Sequence, residues 1–193
     1  MLKTTRYGAA RVLRASKMES HAMNRLTALS IGAALAAFTA ITNAGSTEMK
    51  SPGGEPVLTV SGDIGTGNAD GTAAFDMEML KALPATTFST STIWTEGVRQ
   101  FTGVQLSDLI EAVDADGSTL KATAINDYAV EIPFTDAVDG GPIIAYEIDG
   151  KEMSVREKGP LWIVYPYDAN GKYRSETVYS RSIWQLNAVE VQP

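Results

Sequence analysis

The side chains best equipped to do chemistry fall into short blocks. Trp94-Thr95-Glu96-Gly97 sets an indole beside a carboxylate and a turn-forming glycine, and Asn126-Asp127-Tyr128 sets an amide, an acid and a phenol in a row. Tyr179-Ser180-Arg181-Ser182-Ile183-Trp184-Gln185 joins hydroxyls, a guanidinium and a second indole; Lys158-Gly159-Pro160-Leu161-Trp162-Ile163-Val164-Tyr165-Pro166 carries the third. Such residues suit binding, because flat ligands stack on aromatic faces while carboxylates and guanidinium forks read their polar edges. Each block also has a plainer reading. Trp94 equally suits a core position at a strand end, Asn126-Asp127 a turn, Trp162 a core strand, and Arg181 a structural ion pair in an acidic protein.

What is missing narrows the chemistry. The chain has no cysteine, and its only histidine, His21, lies far upstream of these blocks. Serine-histidine-aspartate and thiol catalysis, structural zinc and haem ligation by histidine all lose an essential group. Asp114-Ala115-Asp116-Gly117 has the look of a calcium loop but lacks the later ligands and the closing Glu, and reads as a solvated turn. No catalytic or metal-ligating residue is assigned.

The elements that must position these blocks read as short strands with few helices. Residues 57–62 have strand composition, Asp76 stands as N-cap before Met77-Glu78-Met79-Leu80-Lys81, and Pro84 closes that helix. Residues 86–92 are β-branched and extended. Leu106, Leu109, Ile110 and Val113 recur at helical spacing, with Asp108 and Glu111 on the other side. Residues 120–124, 128–132, 143–148, 161–165 and 184–191 carry strand composition, with a hairpin signal at Asp149-Gly150 and a turn signal at Asn170-Gly171. At Gly159 the bare backbone allows close approach. The expected fold class is α+β, mostly short β-strands with a few short helices.

Residues 1–44 read as a leader. Met23-Asn24-Arg25 supplies a positive start and residues 26–41 an apolar run too short to span a bilayer comfortably. Thr42 and Ala44 suit cleavage after Ala44, so Met23 is taken as the true start and the product as periplasmic, exported by a cleaved signal peptide with no stable transmembrane segment. Residues 45–56, rich in Ser, Gly and Pro, read as a flexible arm, and 57–193 as one domain. Counted over 45–193, ten Lys and Arg stand against 22 Asp and Glu, a formal charge of −12. That surface repels phosphate backbones and argues against nucleic acid as a partner.

Across 57–191 the order of motifs resembles the molybdopterin-binding domain of the sulfite oxidase superfamily. Phe101-Thr102-Gly103-Val104-Gln105-Leu106-Ser107-Asp108-Leu109-Ile110 is similar to its aromatic-x-Gly-x-x-Leu-x-x-Leu-Leu segment, and Asn126-Asp127-Tyr128 to its Asp-Gly-Tyr. The hairpin around Asp149-Gly150 resembles its Asn-Gly hairpin. Lys158-Gly159-Pro160-Leu161-Trp162-Ile163-Val164-Tyr165-Pro166 resembles its Gly-Gly-Pro-Leu-Arg-Leu-Val-x-Pro strand, with Trp162 where Arg is common.

The resemblance implies a sulfite-oxidase-like molybdopterin-binding fold, but the enzymes of that superfamily hold molybdenum through a Cys upstream of the aromatic-x-Gly segment. Here that region reads Ser89-Thr90-Ser91-Thr92, and hydroxyls are poor substitutes for a soft thiolate. In this the chain resembles a small exported subgroup without the Cys, which includes periplasmic pterin-binding regulatory proteins. That likeness implies a protein that binds a pterin, such as a tetrahydropterin, and reports it by contact to an inner-membrane diguanylate cyclase, phosphodiesterase or sensor kinase. The alternative is a molybdopterin-dependent oxidoreductase without a Cys ligand; molybdenum is not expected. By family position and polarity, Asp127 or Glu96 takes the pterin's amino edge, Arg181 its carbonyl or ring nitrogens, and Trp94, Tyr128 or Trp184 its face. Asn126, Trp162, Tyr179 and Ser180 complete the expected contacts.

Overall fold

The computed structural model describes residues 49–193; the expected leader, its cleavage site and residues 45–48 of the arm lie outside the described residues. In chain order the elements are β1 (Leu58–Gly62), β2 (Ala73–Phe75), α1 (Met77–Ala82), β3 (Ala85–Ser91), β4 (Val98–Gln105), α2 (Leu106–Ala112), β5 (Thr119–Ala124), β6 (Ala129–Pro133), β7 (Ile143–Ile148), β8 (Lys151–Glu152), β9 (Trp162–Val164), α3 (Glu176–Ser180) and β10 (Leu186–Gln192). One sheet runs β2-β1-β10-β5-β6, with β1 and β10 parallel and the other pairs antiparallel. The second runs β3-β4-β7-β8, with β9 antiparallel on β7. Short strands with few short helices make this an α+β fold, as the composition predicts. No helix among the described residues is long and apolar enough to cross a membrane.

Period-two alternation turns Leu58 and Val60 of β1, Leu120, Ala122 and Ala124 of β5, and Val189 and Val191 of β10 inward, and the register shift between Leu186 and Ala188 brings Leu186 to the same side. The second sheet contributes Phe101, Val104, Ile143, Ile144, Trp162 and Ile163 to the same hydrophobic cluster, and the helices add Leu80, Leu106 and Leu109. Asp76 caps α1 as expected, its Oδ1 accepting the Met79 N–H at 2.8 Å. Its other oxygen accepts the Gly53 and Gly54 N–H groups at 2.7 and 2.8 Å, so this part of the expected arm lies against the domain. The hydrogen bond from Met79, followed by that from Gly54, holds the Asp76 carboxyl below its usual range.

The strand β4, like the short β2 and α3, is an element that composition does not announce. Its Val98-Arg99-Gln100 start is polar and a glycine interrupts it, yet it is hydrogen-bonded on both sides, to β3 and β7. Pairing makes it a strand. Phe101 and Val104 bury their side chains, while Arg99 reaches Asp149 of the β7–β8 turn at 2.6 Å. Gly103 sits where the β4–β7 register shifts; a Cβ there would lie 2.1 Å from the Ile144 carbonyl oxygen, which is the physical reason for a glycine at this point of the aromatic-x-Gly segment.

Candidate functional site

The two sheets meet along the segment after α3. Ile163 N–H donates to the Ile183 carbonyl (2.9 Å), Gln185 N–H to that of Lys158 (3.1 Å) and Leu186 N–H to that of Leu161 (3.0 Å), fastening this segment to β9 and its approach. On the other side Ile125 N–H donates to the Gln185 carbonyl at 2.9 Å, joining it to the end of β5. Residues 182–186 therefore bridge the sheets. Above this bridge opens a cleft of about 410 Å³, lined by Trp94, Ala124, Asn126, Tyr128, Tyr179, Ser180, Ser182, Ile183, Trp184 and Gln185. That volume suits a small ring-shaped ligand.

Each wall has a local cause. Trp94 comes from the β3–β4 connection, where the Thr92 hydroxyl oxygen accepts the N–H groups of Trp94 and Thr95 at 3.1 and 3.0 Å and closes a tight turn. Tyr128 follows a turn at Asp127, whose backbone is left-handed (φ 64°) and whose N–H donates to the Ala124 carbonyl. Ser175 caps α3 through its hydroxyl, which accepts the Val178 N–H, and the helix delivers Tyr179 and Ser180.

Trp94 is the hub of the aromatic walls. Its ring meets Trp162, Tyr167, Tyr179 and Trp184 edge-on at centroid distances of 5.9, 6.4, 5.9 and 5.8 Å. Trp162 is fully buried behind this layer, its indole N–H donating to the Ser182 carbonyl at 3.3 Å. The Lys158 ammonium lies over the rings of Trp184 and Trp162, 5.2 and 5.8 Å from their centroids.

Three polar groups of the cleft spend donors inward. Ser180 donates to the Thr177 carbonyl at 2.7 Å, Ser182 to that of Val178 at 3.2 Å, and the Gln185 amide to that of Val155 at 2.8 Å. Ser182 Oγ also bonds the buried Tyr167 hydroxyl, whose pKa burial pushes up to about 12. What remains toward the cleft is neutral and of both kinds: the Ser180 lone pairs and the Gln185 amide oxygen accept, the Asn126 amide N–H groups and the Tyr128 and Tyr179 hydroxyls donate, and the Asn126 oxygen takes the Tyr128 N–H at 3.3 Å.

Of the ten residues predicted from sequence, six line the cleft together: Trp94, Asn126, Tyr128, Tyr179, Ser180 and Trp184. Four do not. Glu96 and Asp127 are exposed and outside the lining, because the first lies beyond the Thr92 turn and the second is the turn residue itself. Trp162 takes its core reading. Arg181 takes its ion-pair reading: its Nη1 lies 2.8 Å from Asp136 Oδ2, which also accepts the Tyr165 hydroxyl at 2.8 Å. Burial and then this bond to Asp136 push the Tyr165 phenol far above its usual range, so it acts as a donor.

Both Arg181 and Asp136 are largely covered, at 23% and 17% side-chain exposure, so Arg181→Ala strands a half-buried carboxylate. Stability is expected to fall by about 2 kcal/mol, between the values for exposed and buried pairs, with ligand affinity little changed. Thermal denaturation beside a binding titration checks this; lost affinity with intact stability would put the guanidinium on the ligand.

Sequence reasoning missed Ala124, Ser182, Ile183 and Gln185 as lining residues. Ser182 and Gln185 stood in view beside Arg181, but their orientation depends on the bridge between the sheets. Gln185 has a left-handed backbone (φ 54°), which nothing in the residue type announces.

Residues 63–173 match the oxidoreductase molybdopterin binding domain. The chain belongs to this family. The match covers Trp94, Ala124, Asn126 and Tyr128 of the lining and ends before α3, so the wall from Tyr179 to Gln185 comes from beyond the matched segment. No curated protein matches the chain.

The donor set separates the two parts of a molybdenum cofactor. Aromatic walls and neutral polar groups of both kinds fit the flat pterin ring, whose edge carries donors and acceptors. The metal fits poorly: the chain has no thiol, and no group of three or more His, Cys, Asp or Glu among the described residues is arranged to hold an ion. At the expected metal-side position the buried Thr90 hydroxyl accepts the Asp168 N–H at 3.0 Å, and the Ser91 hydroxyl and N–H both donate to the Asp168 carboxylate. These hydroxyls are committed within the protein.

Proposed function

We propose that this protein is an exported pterin receptor: it binds a pterin in the aromatic cleft and signals by contact to an inner-membrane partner, without molybdenum redox chemistry. The observation that carries the reading is the cleft itself, walled by Trp94, Tyr128, Tyr179 and Trp184 and edged by neutral polar groups, in a molybdopterin-binding domain that contains no thiol. An aromatic wall accepts the flat ring, and the Ser180 lone pairs and the Gln185 amide oxygen suit the donors of the 2-amino edge. The Asp127 and Glu96 carboxylates are not needed for that edge.

The export expected from the leader places the receptor in the periplasm, as in the Cys-less pterin-binding subgroup it resembles. A diguanylate cyclase, phosphodiesterase or sensor kinase is the proposed partner. Exposed Ile93, Ile125, Tyr128, Val155 and Trp184 in or beside the lining give it an apolar rim to meet.

All three tryptophans belong to one mutually touching cluster at the cleft. Titration of the purified protein with tetrahydropterins and oxidised pterins is therefore expected to quench its intrinsic fluorescence saturably, at micromolar concentration or below. Absence of quenching and of calorimetric heat with every pterin would overturn the receptor reading. Family membership favours one rival, an oxidoreductase that carries molybdopterin without a Cys ligand. Stoichiometric molybdenum in protein purified from its natural host would decide for that rival.

A further inference from the structure

Among the described residues, six other than glycine have left-handed backbones: Asp70, Asp114, Asp127, Asp149, Lys158 and Gln185. Aspartate tolerates that region through its short polar side chain. Lysine and glutamine have no such help, and these two are joined to each other, Gln185 N–H donating to the Lys158 carbonyl at 3.1 Å. The chain thus accepts strain at a single place beside the cleft, where it aims one amide and one ammonium. The amide lines the cleft, and the ammonium lies 5.2 Å from the centroid of Trp184, one of its walls.

The charge of Lys158 is also uncommitted. Lys81, Arg99, Lys121, Arg174 and Arg181 each lie within ion-pair distance of a carboxylate, and Lys158 forms no such pair among the described residues. Lys50, Lys151, Arg156 and Lys172 share that lack, and of the five only Lys158 is recorded over a ring that walls the cleft. No Lys, Arg, Asp or Glu among the described residues lines the cleft, so this ammonium is the charge set to act at its edge. An ammonium over an indole is weakly held, and its four-carbon stem lets it turn to an incoming anion.

Resting on the reading of the cleft as a pterin site, we infer that Lys158 forms a subsite for an anionic substituent on the ring. The ligand is then a pterin bearing a carboxylate or phosphate, with its ring between the aromatic walls and its anionic group on the ammonium beside Trp184. Neutral pterins are the weaker class.

The test compares two probes with the same oxidised ring, pterin-6-carboxylate and 6-hydroxymethylpterin, titrated into the full chain and into Lys158→Gln and Lys158→Arg. The wild type is expected to bind the carboxylate about tenfold more tightly than the alcohol, the scale of one charge-assisted contact at a half-exposed site. In Lys158→Gln that ratio falls to about one, and in Lys158→Arg it survives. Equal binding of both probes by the wild type, or a ratio untouched in Lys158→Gln, overturns the anionic subsite while leaving the pterin reading intact. If the wild type binds neither probe nor any tetrahydropterin, the pterin reading falls and the subsite with it.

Discussion

Trp94→Ala is expected to weaken pterin binding about thirtyfold or more, and to destabilise the fold at the same time. The indole is one wall of the cleft and meets four other aromatic rings edge-on. Removing a stacking face costs about 2 kcal/mol by comparison with aromatic stacking on nucleobases, a rise in Kd of roughly thirtyfold. The vacated space lets Trp184 and Tyr179 lean inward, which adds to the loss. Each edge-to-face pair is worth about 0.5–1.5 kcal/mol beyond its buried area, so the stability cost comes to about 3 kcal/mol, as for other large aromatic truncations. Calorimetric titration of the variant, paired with its thermal denaturation, measures both effects. Trp94→Phe separates them, because it restores much of the wall and keeps a face for stacking. A folded Trp94→Ala protein that binds pterin as tightly as the wild type would remove the cleft from consideration as the site.

Gly159→Ala carries the largest purely structural effect. A Cβ at this position would lie 1.9 Å from the Met153 carbonyl oxygen and 2.5 Å from its carbon, backbone atoms that no rotamer change can move. Gly159 N–H donates to the Ser154 carbonyl at 2.8 Å, so the two segments cannot separate without breaking that bond. Relief must come from moving the approach to β9, which carries Lys158 and leads into Trp162. A cost of about 3 kcal/mol follows from overpacking of this severity, a fall in Tm of roughly 10 °C for a domain of this size. Gly171→Ala is the control. A Cβ there would meet nothing within 4 Å and its φ is not left-handed, so stability should hold or rise slightly. Equal Tm values for the two variants would show that the close approach at Gly159 relaxes freely.

These two positions also show how far residue type alone reaches. Tight packing at Gly159 was legible because a Gly-Pro step before an apolar strand suits close backbone approach, and Asp76 announced itself as a helix cap through its place before the apolar run of α1. The Asp149-Gly150 hairpin closes β7 on β8, with Ile148 opposite Lys151, and both turn residues are left-handed as the pair of types predicts. Trp94, Tyr128 and Trp184 were recognisable as ring-binding candidates, and the lack of His and Cys removed whole classes of chemistry without reference to any fold.

What the amino-acid sequence by itself determined, then, was what depends on a residue and its near neighbours: caps, turns, strand-forming runs and the chemical types available. The tertiary structure alone decided which reading each ambiguous residue took. Arg181 became a structural cation because pairing brings Asp136 to it from 45 positions away, and Trp162 became core because β9 docks on β7 with Trp184 against it. Strand β4 exists because β3 and β7 supply partners on both sides. The bridge at 182–186 turned Ser182 and Gln185 toward the cleft while Glu96 and Asp127 were left in solvent. Local propensity acts over a few residues, whereas burial and partnership are set by sheet pairing between distant segments, and the site of this protein is built where two sheets are joined.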